Sequence, residues 1–158
     1  MINEIKIKRA KPQDVEHICD LWKEFMDFHR ERDRIFTRSF DGHKKFATFI
    51  SDHMSKDTSS VLVAECHKEI IGYCLAWIGK YPAVFEIQEY GYISDLAVTE
   101  VWRRQGIGRK LLEEAQKWFF ERNIHRLELR VLSANDLSAS FWKKMDFITY
   151  TEMLYKNI

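Results

Sequence analysis

Residues 95–120 read DLAVTEVWRRQGIGRKLLEEAQKWFF: an apolar strand end, a basic loop holding two glycines, and an amphipathic helix. The loop is Arg103, Arg104, Gln105, Gly106, Ile107 and Gly108. Glycines so close together let the backbone turn tightly and approach a ligand with no Cβ in the way. They open a helix whose first N–H groups have no partner inside it, and whose aligned peptide dipoles leave roughly half a positive charge at that end. Arg103, Arg104, Arg109 and Lys110 add full charges, so the loop suits an anion such as a phosphate or pyrophosphate. A strand-to-helix turn would use the same glycines without a ligand, and the loop alone leaves both readings open. In the helix, Ile107, Leu111, Leu112, Ala115 and Trp118 or Phe119 recur at three- and four-residue spacing. Glu113, Glu114, Lys117, Glu121 and Arg122 lie off that stripe, so one face packs on a sheet and the other is wet. The dinucleotide fingerprint would need a third glycine, and no G-x-x-x-x-G-K-[ST] is present.

Before the loop, residues 84–98 read as one long or bent strand, with Gly91 marking a bulge or a close approach of backbone to ligand. Residues 61–66 and 69–78 are β-rich apolar runs joined by His67 and Lys68, a tight hairpin covered on both faces. Further back, residues 2–9 alternate as a half-buried strand, and Pro12 starts a helix whose core face runs from Val15 through Trp22 to Met26. Residues 29–42 are charge-dense yet carry Ile35, Phe36 and Phe40, and are expected to fold back on the core. A second amphipathic helix spans residues 43–54. After the central helix come a strictly alternating strand over residues 126–131, a helix over 136–145 and a closing strand over 147–156. The order is β-α-α-β-β-β-α-β-α-β, an α/β arrangement with helices on both faces of a mixed sheet.

Length and composition narrow the function. A chain of 158 residues, 46% hydrophobic, is expected to be one domain over residues 1–158 with a single core. The 25 basic and 24 acidic residues nearly cancel, which gives no overall field for nucleic acid. Cys19, Cys66 and Cys74 are an odd number without a C-x-x-C pair or a histidine at metal spacing, and read as reduced, buried thiols. No apolar leader or membrane-length run is present, so the expectation is a cytoplasmic protein with neither metal nor membrane partner.

Leu96-Ala97-Val98, then Trp102-Arg103-Arg104-Gln105-Gly106-Ile107-Gly108, then Asn135 and an aromatic residue seven positions later resemble the GCN5-related N-acetyltransferases (GNAT). The family's loop pattern [QR]-x-x-G-x-[GA] is met by Arg103, Gly106 and Gly108, and the element order fits over nearly the whole chain. The resemblance implies a mixed, mostly antiparallel sheet of six or seven strands, splayed at the cofactor site, with about four helices on both faces. It implies acetyl-CoA as co-substrate, its pantetheine arm beside Leu96, Ala97 and Val98 and its pyrophosphate on the amides of Arg104, Gln105, Gly106, Ile107, Gly108 and Arg109. Asn135 matches the residue that holds a pantetheine amide, and is equally a natural helix N-cap. The acceptor it implies is a primary amine, on a small molecule or a peptide, attacked directly; a homodimer stays open.

One departure stands out. Trp142 occupies the position where the family usually places a tyrosine that protonates the leaving thiolate, and an indole N–H is no proton-transfer acid at neutral pH. Trp142 could instead pack under the pantetheine or fill core. A thiol with a pKa of about 8.5 leaves without much help, so catalysis survives this loss. The alternative is a non-catalytic acyl-CoA-binding module. Only the neutral amine attacks, and neutralising a lysine-like amine at pH 7 costs roughly 4–5 kcal/mol, against about 1 for an α-amino group. Family bases cluster on the strand before the loop, where Glu86, Glu89, Ser94 and Asp95 are the candidates, acting directly or through water. Residues 29–42 and 79–90 are expected to shape the acceptor side.

Overall fold

Alternation decides where the side chains of the apolar runs point. In the strand Ser59–Cys66, Val61 and Val63 face one way while Leu62, Ala64 and Cys66 face the other, and all are buried because helices cover both faces. The computed structural model describes residues 4–158. Its strands lie in chain order in one sheet: β1 (Lys6–Arg9), β2 (Ser59–Cys66), β3 (Glu69–Lys80), β4 (Glu89–Val98) and β5 (Leu127–Glu128). The first three pairings are antiparallel and β4–β5 is parallel. His67 and Lys68 close the β2–β3 turn with φ of 49° and 69°, the left-handed pair that a two-residue hairpin requires.

Helices α1 (Val15–Arg30) and α2 (Gly42–Met54) cover the face that carries Val63, Tyr73 and Leu75. On the other face, α3 (Ile107–Phe120) buries the expected stripe of Ile107, Leu111, Leu112, Ala115, Trp118 and Phe119. Trp142 of α4 (Asp136–Lys144) joins that layer. All three cysteines are buried free thiols. Burial pushes the Cys74 thiol up to about 12, which leaves it chemically quiet.

Four expectations are corrected. The sheet among the described residues has five strands, not six or seven. Residues 147–158 keep the apolar alternation of a strand, but Ile148, Met153 and Tyr155 are exposed and the segment joins no ladder. A period-two pattern needs a neighbouring edge to pair with, and β5 carries only two ladder positions. Its shortness is the second correction: Leu129 and Val131 still pack on the core as their alternation requires, while backbone pairing has already stopped. Third, β4 begins at Glu89 rather than Val84, because Pro82 opens a turn that the Tyr81 amide closes by donating to the Gln88 carbonyl at 2.8 Å. Fourth, Gly91 is no bulge. A Cβ there would fall 2.4 Å from Leu127 Cδ2 and 2.7 Å from Phe119 Cε1, so the close neighbours are core side chains. The first residues of the expected strand over 2–9 lie outside the described residues.

Candidate active site

The site begins where β4 and β5 part. Their pairing is confined to Gly91 with Leu127 and Tyr92 with Glu128, and the Gly91 amide donates to the Arg126 carbonyl at 2.8 Å. Beyond Tyr92 the strands diverge, leaving that side of β4 without a strand partner among the described residues. The register against β3 slips here, since Leu75 faces Asp95 but Ala76 faces Ile93, which makes Ser94 the extra residue of a bulge. The bulge resets the alternation. Ile93, Leu96 and Val98 point to the α3 side, and Ala97 points to the α1 side.

The glycine loop closes this opening. Arg104 and Gly106 both have left-handed backbones, with φ of 61° and 79°. Gly106 stands at the N-cap of α3, and no side chain caps the helix. From residue 104 to 109 no backbone N–H has an acceptor among the described residues; the first that does is Lys110, which donates to the Gly106 carbonyl at 3.1 Å. Arg103 and Gln105 turn their side chains back to the Val98 and Val101 carbonyls, at 3.0 and 3.3 Å, and so brace the loop. Ile107 anchors it in the core, and Gly108 lies so close to the Phe141 ring that a Cβ would sit 3.3 Å from it. Successive outward amides at the positive end of a helix, flanked by Arg104 and Arg109, are a donor set that fits a diphosphate.

Across the opening, Asn135 is 4% exposed and its Oδ1 accepts the Ser138 amide at 3.1 Å as the N-cap of α4. Its side-chain NH2 has no acceptor among the described residues. Trp142 is 8% exposed, donates its indole N–H to Ser138 Oγ at 3.1 Å, and packs between Phe141 and Phe147. The surroundings of Trp142 are those of a core side chain.

The three candidate carboxylates separate by position. Asp95 lies at the bulge, accepting the Tyr73 hydroxyl on Oδ2 at 2.7 Å and the Ser94 hydroxyl on Oδ1 at 2.6 Å. Burial pushes its carboxyl up, while the two hydroxyls and the nearby His29 imidazole pull it back part of the way. Glu86 and Glu89 are exposed at the other end of β4, lining an open depression with Lys80, Tyr81 and Asn123. The structure therefore brings Asp95 to the splay and leaves Glu86 and Glu89 apart from it.

Sequence reasoning passed over two residues here. Tyr73 is the one phenol in the apolar run of β3, and a fully buried hydroxyl needs an acceptor, which is the signal that could have paired it with a carboxylate. His29 offered no such signal. It sits among Phe25, Phe28 and Phe36 on a helix that packs against β4. The segment after α1 also departs from expectation, because Ile35 and Phe40 are exposed instead of folding back on the core, and only Phe36 packs inward, 5.3 Å from the His29 ring. Away from the splay, Glu4, Cys66 and His67 bring three metal-capable atoms within 4.8 Å of one another at the β2–β3 turn, a grouping that spacing in sequence hid.

Residues 16–147 match the sequence pattern of the Acetyltransferase (GNAT) family. An uncharacterized N-acetyltransferase of Archaeoglobus fulgidus is 30% identical over 142 residues, 90% of this chain and 92% of that one. Among solved structures, a tetramutant of the BH1408 protein from Bacillus halodurans has a TM-score of 0.83 at 23% identity, covering 97% of this chain and 99% of that one. A predicted acetyltransferase from Clostridium acetobutylicum, solved with acetyl-CoA, has a TM-score of 0.77 at 20% identity, covering 97% and 96%. The structural likenesses establish the fold. The pattern matched along most of the chain and the archaeal relative make this protein a member of the acetyltransferase (GNAT) family, an N-acetyltransferase.

Proposed function

We propose that this enzyme takes the acetyl group of acetyl-CoA and places it on a primary amine by direct attack, without an acetyl-enzyme intermediate. The observation that carries the reading is the run of unpartnered amides over residues 104–109, set beside the splay of β4 and β5. In this reading those amides, with Arg104 and Arg109, hold the diphosphate. The free edge of β4 at Leu96, Ala97 and Val98 takes the pantetheine amides, and the spare NH2 of Asn135 holds a pantetheine carbonyl. Acetyl-CoA in the Clostridium structure of the same fold supports the choice of donor. Asp95 supplies a negative charge at the bulge that draws an ammonium acceptor toward the thioester. Trp142 supplies no acid, and the sulfur leaves without one because its thiol is acidic by comparison with an alcohol or amine.

Calorimetric titration with acetyl-CoA, followed by thiol release over a panel of small amines and peptide N-termini, tests the proposal. Saturable binding with amine-dependent release is expected. No binding would end the reading, and binding without amine-dependent release would turn it into an acyl-CoA-binding module.

A further inference from the structure

We infer that His29 is the base that takes the proton from the acceptor amine. The argument rests on the acetyl-transfer reading above, and starts from the imidazole's own bonds. Nδ1 lies 2.7 Å from the Phe25 carbonyl, and a carbonyl oxygen can only accept, so Nδ1 carries the hydrogen. The neutral ring then keeps its lone pair on Nε2, which has no hydrogen-bond partner among the described residues. Phe25 at 4.3 Å, Phe28 at 5.8 Å and Phe36 at 5.3 Å fix the ring plane, so the lone pair is presented in one direction at little cost in disorder.

The same aromatic group ties His29 to the rest of the site. Phe28 carries the Arg103 guanidinium 5.7 Å from its centroid, which joins the end of α1 to the glycine loop. Helix α1, which carries the imidazole, packs against β4, which carries Asp95. Asp95 is poorly placed to take the proton itself, because each of its oxygens already accepts a hydroxyl. Charged groups around the ring include Asp27 on α1, paired with Arg38, then Arg30 at the end of that helix, Glu31, Arg32, Asp33 and Arg34 in the turn that follows, and Arg103 in the loop. Among these cations Asp95 is the counter-charge on β4.

The step balances as follows. Nε2 takes one proton from the ammonium, and the freed nitrogen lone pair forms the N–C bond at the acetyl carbonyl carbon. The C–S bond then breaks with its electron pair on sulfur. The sulfur leaves as the thiolate and then takes up the second N–H proton to become the thiol, while the nitrogen is left as the neutral amide and the imidazolium returns its proton to water.

His29→Asn and His29→Gln test this, the asparagine amide being able to reach the Phe25 carbonyl as Nδ1 does. In both, kcat with the best amine is expected to fall by about 10²–10⁴-fold with acetyl-CoA affinity and Tm unchanged, as for loss of a general base. The one-proton rise of kcat/KM with pH due to the imidazole should disappear, and added imidazole should restore part of the rate. A fall of less than about tenfold with the wild-type pH profile would remove His29 from the chemistry and leave acetyl transfer standing. Loss of acetyl-CoA binding or of Tm in both variants would make it a structural residue and overturn the assignment. A wild-type protein that binds acetyl-CoA yet releases no thiol with any amine would overturn both readings.

Discussion

Asp95 accepts hydrogen bonds from two hydroxyls at once at the bulge of β4, and that position decides what substitutions nearby will do. Tyr73→Phe leaves Oδ2 without its hydroxyl donor in a part-buried site, and should cost about 1–3 kcal/mol in urea unfolding. Asp95→Asn keeps the shape and removes the charge; it should lower kcat/KM for the amine by about tenfold or more while acetyl-CoA affinity, measured by calorimetry, holds. Gly91→Ala would push a methyl into Leu127 and Phe119 where β4 and β5 last pair. It should destabilise by about 1–3 kcal/mol, read from the urea midpoint. At Gly106 a Cβ meets nothing within 4 Å, so Gly106→Ala is opposed only by the left-handed backbone.

At the scale of elements, α2 is pinned to β2 by His53, whose Nδ1 lies 2.8 Å from Ser59 Oγ and whose ring stacks on Trp77 at 4.8 Å. Burial lowers its pKa below the ordinary 6.5. A histidine depressed in the fold stays neutral there while the unfolded chain takes up a proton at about 6.5, so its contribution is whole above that pH and is lost as the pH falls toward the folded value. Urea unfolding from pH 7.5 down to 5 should show stability declining by up to about 1.4 kcal/mol per pH unit from this group, and His53→Gln should flatten the decline. Helix α4 is docked by Trp142. Trp142→Tyr should lower Tm without raising turnover, since its surroundings are core. A large gain in turnover at unchanged acetyl-CoA affinity would instead show that the missing acid limits the rate.

Over the whole molecule, the segment after α4 is tied to the sheet at Glu128. That carboxylate accepts the Tyr81 hydroxyl, Arg126 Nε at 2.9 Å and the Tyr150 hydroxyl at 2.8 Å. Burial pushes its carboxyl up, but these donors outweigh burial and hold it below the usual carboxylate range. Glu128→Gln should release residues 147–158, seen as faster proteolytic nicking there with the rest of the chain intact.

How much of this could be read in advance follows from what each pattern encodes. The stripe of α3, the two-faced strands β2 and β3, the hairpin at His67 and Lys68 and the glycine turn that opens α3 are local: spacing and backbone freedom within a few residues determine them, and the sequence was sufficient. Strand count failed because alternation at residues 147–156 reports a residue's wish for two faces and says nothing of whether an edge is free to pair. Trp142 was legible as a lost acid, with core filling and packing under the pantetheine left open, and the fold gave it the surroundings of core. Asp95 was legible as one of three carboxylates, and only the fold separated it from Glu86 and Glu89, by placing the bulge at Ser94. The meeting of Tyr73 with Asp95, and the packing of the helix that carries His29 against β4, were decided by tertiary structure alone, because elements apart in sequence must pack before such groups have neighbours.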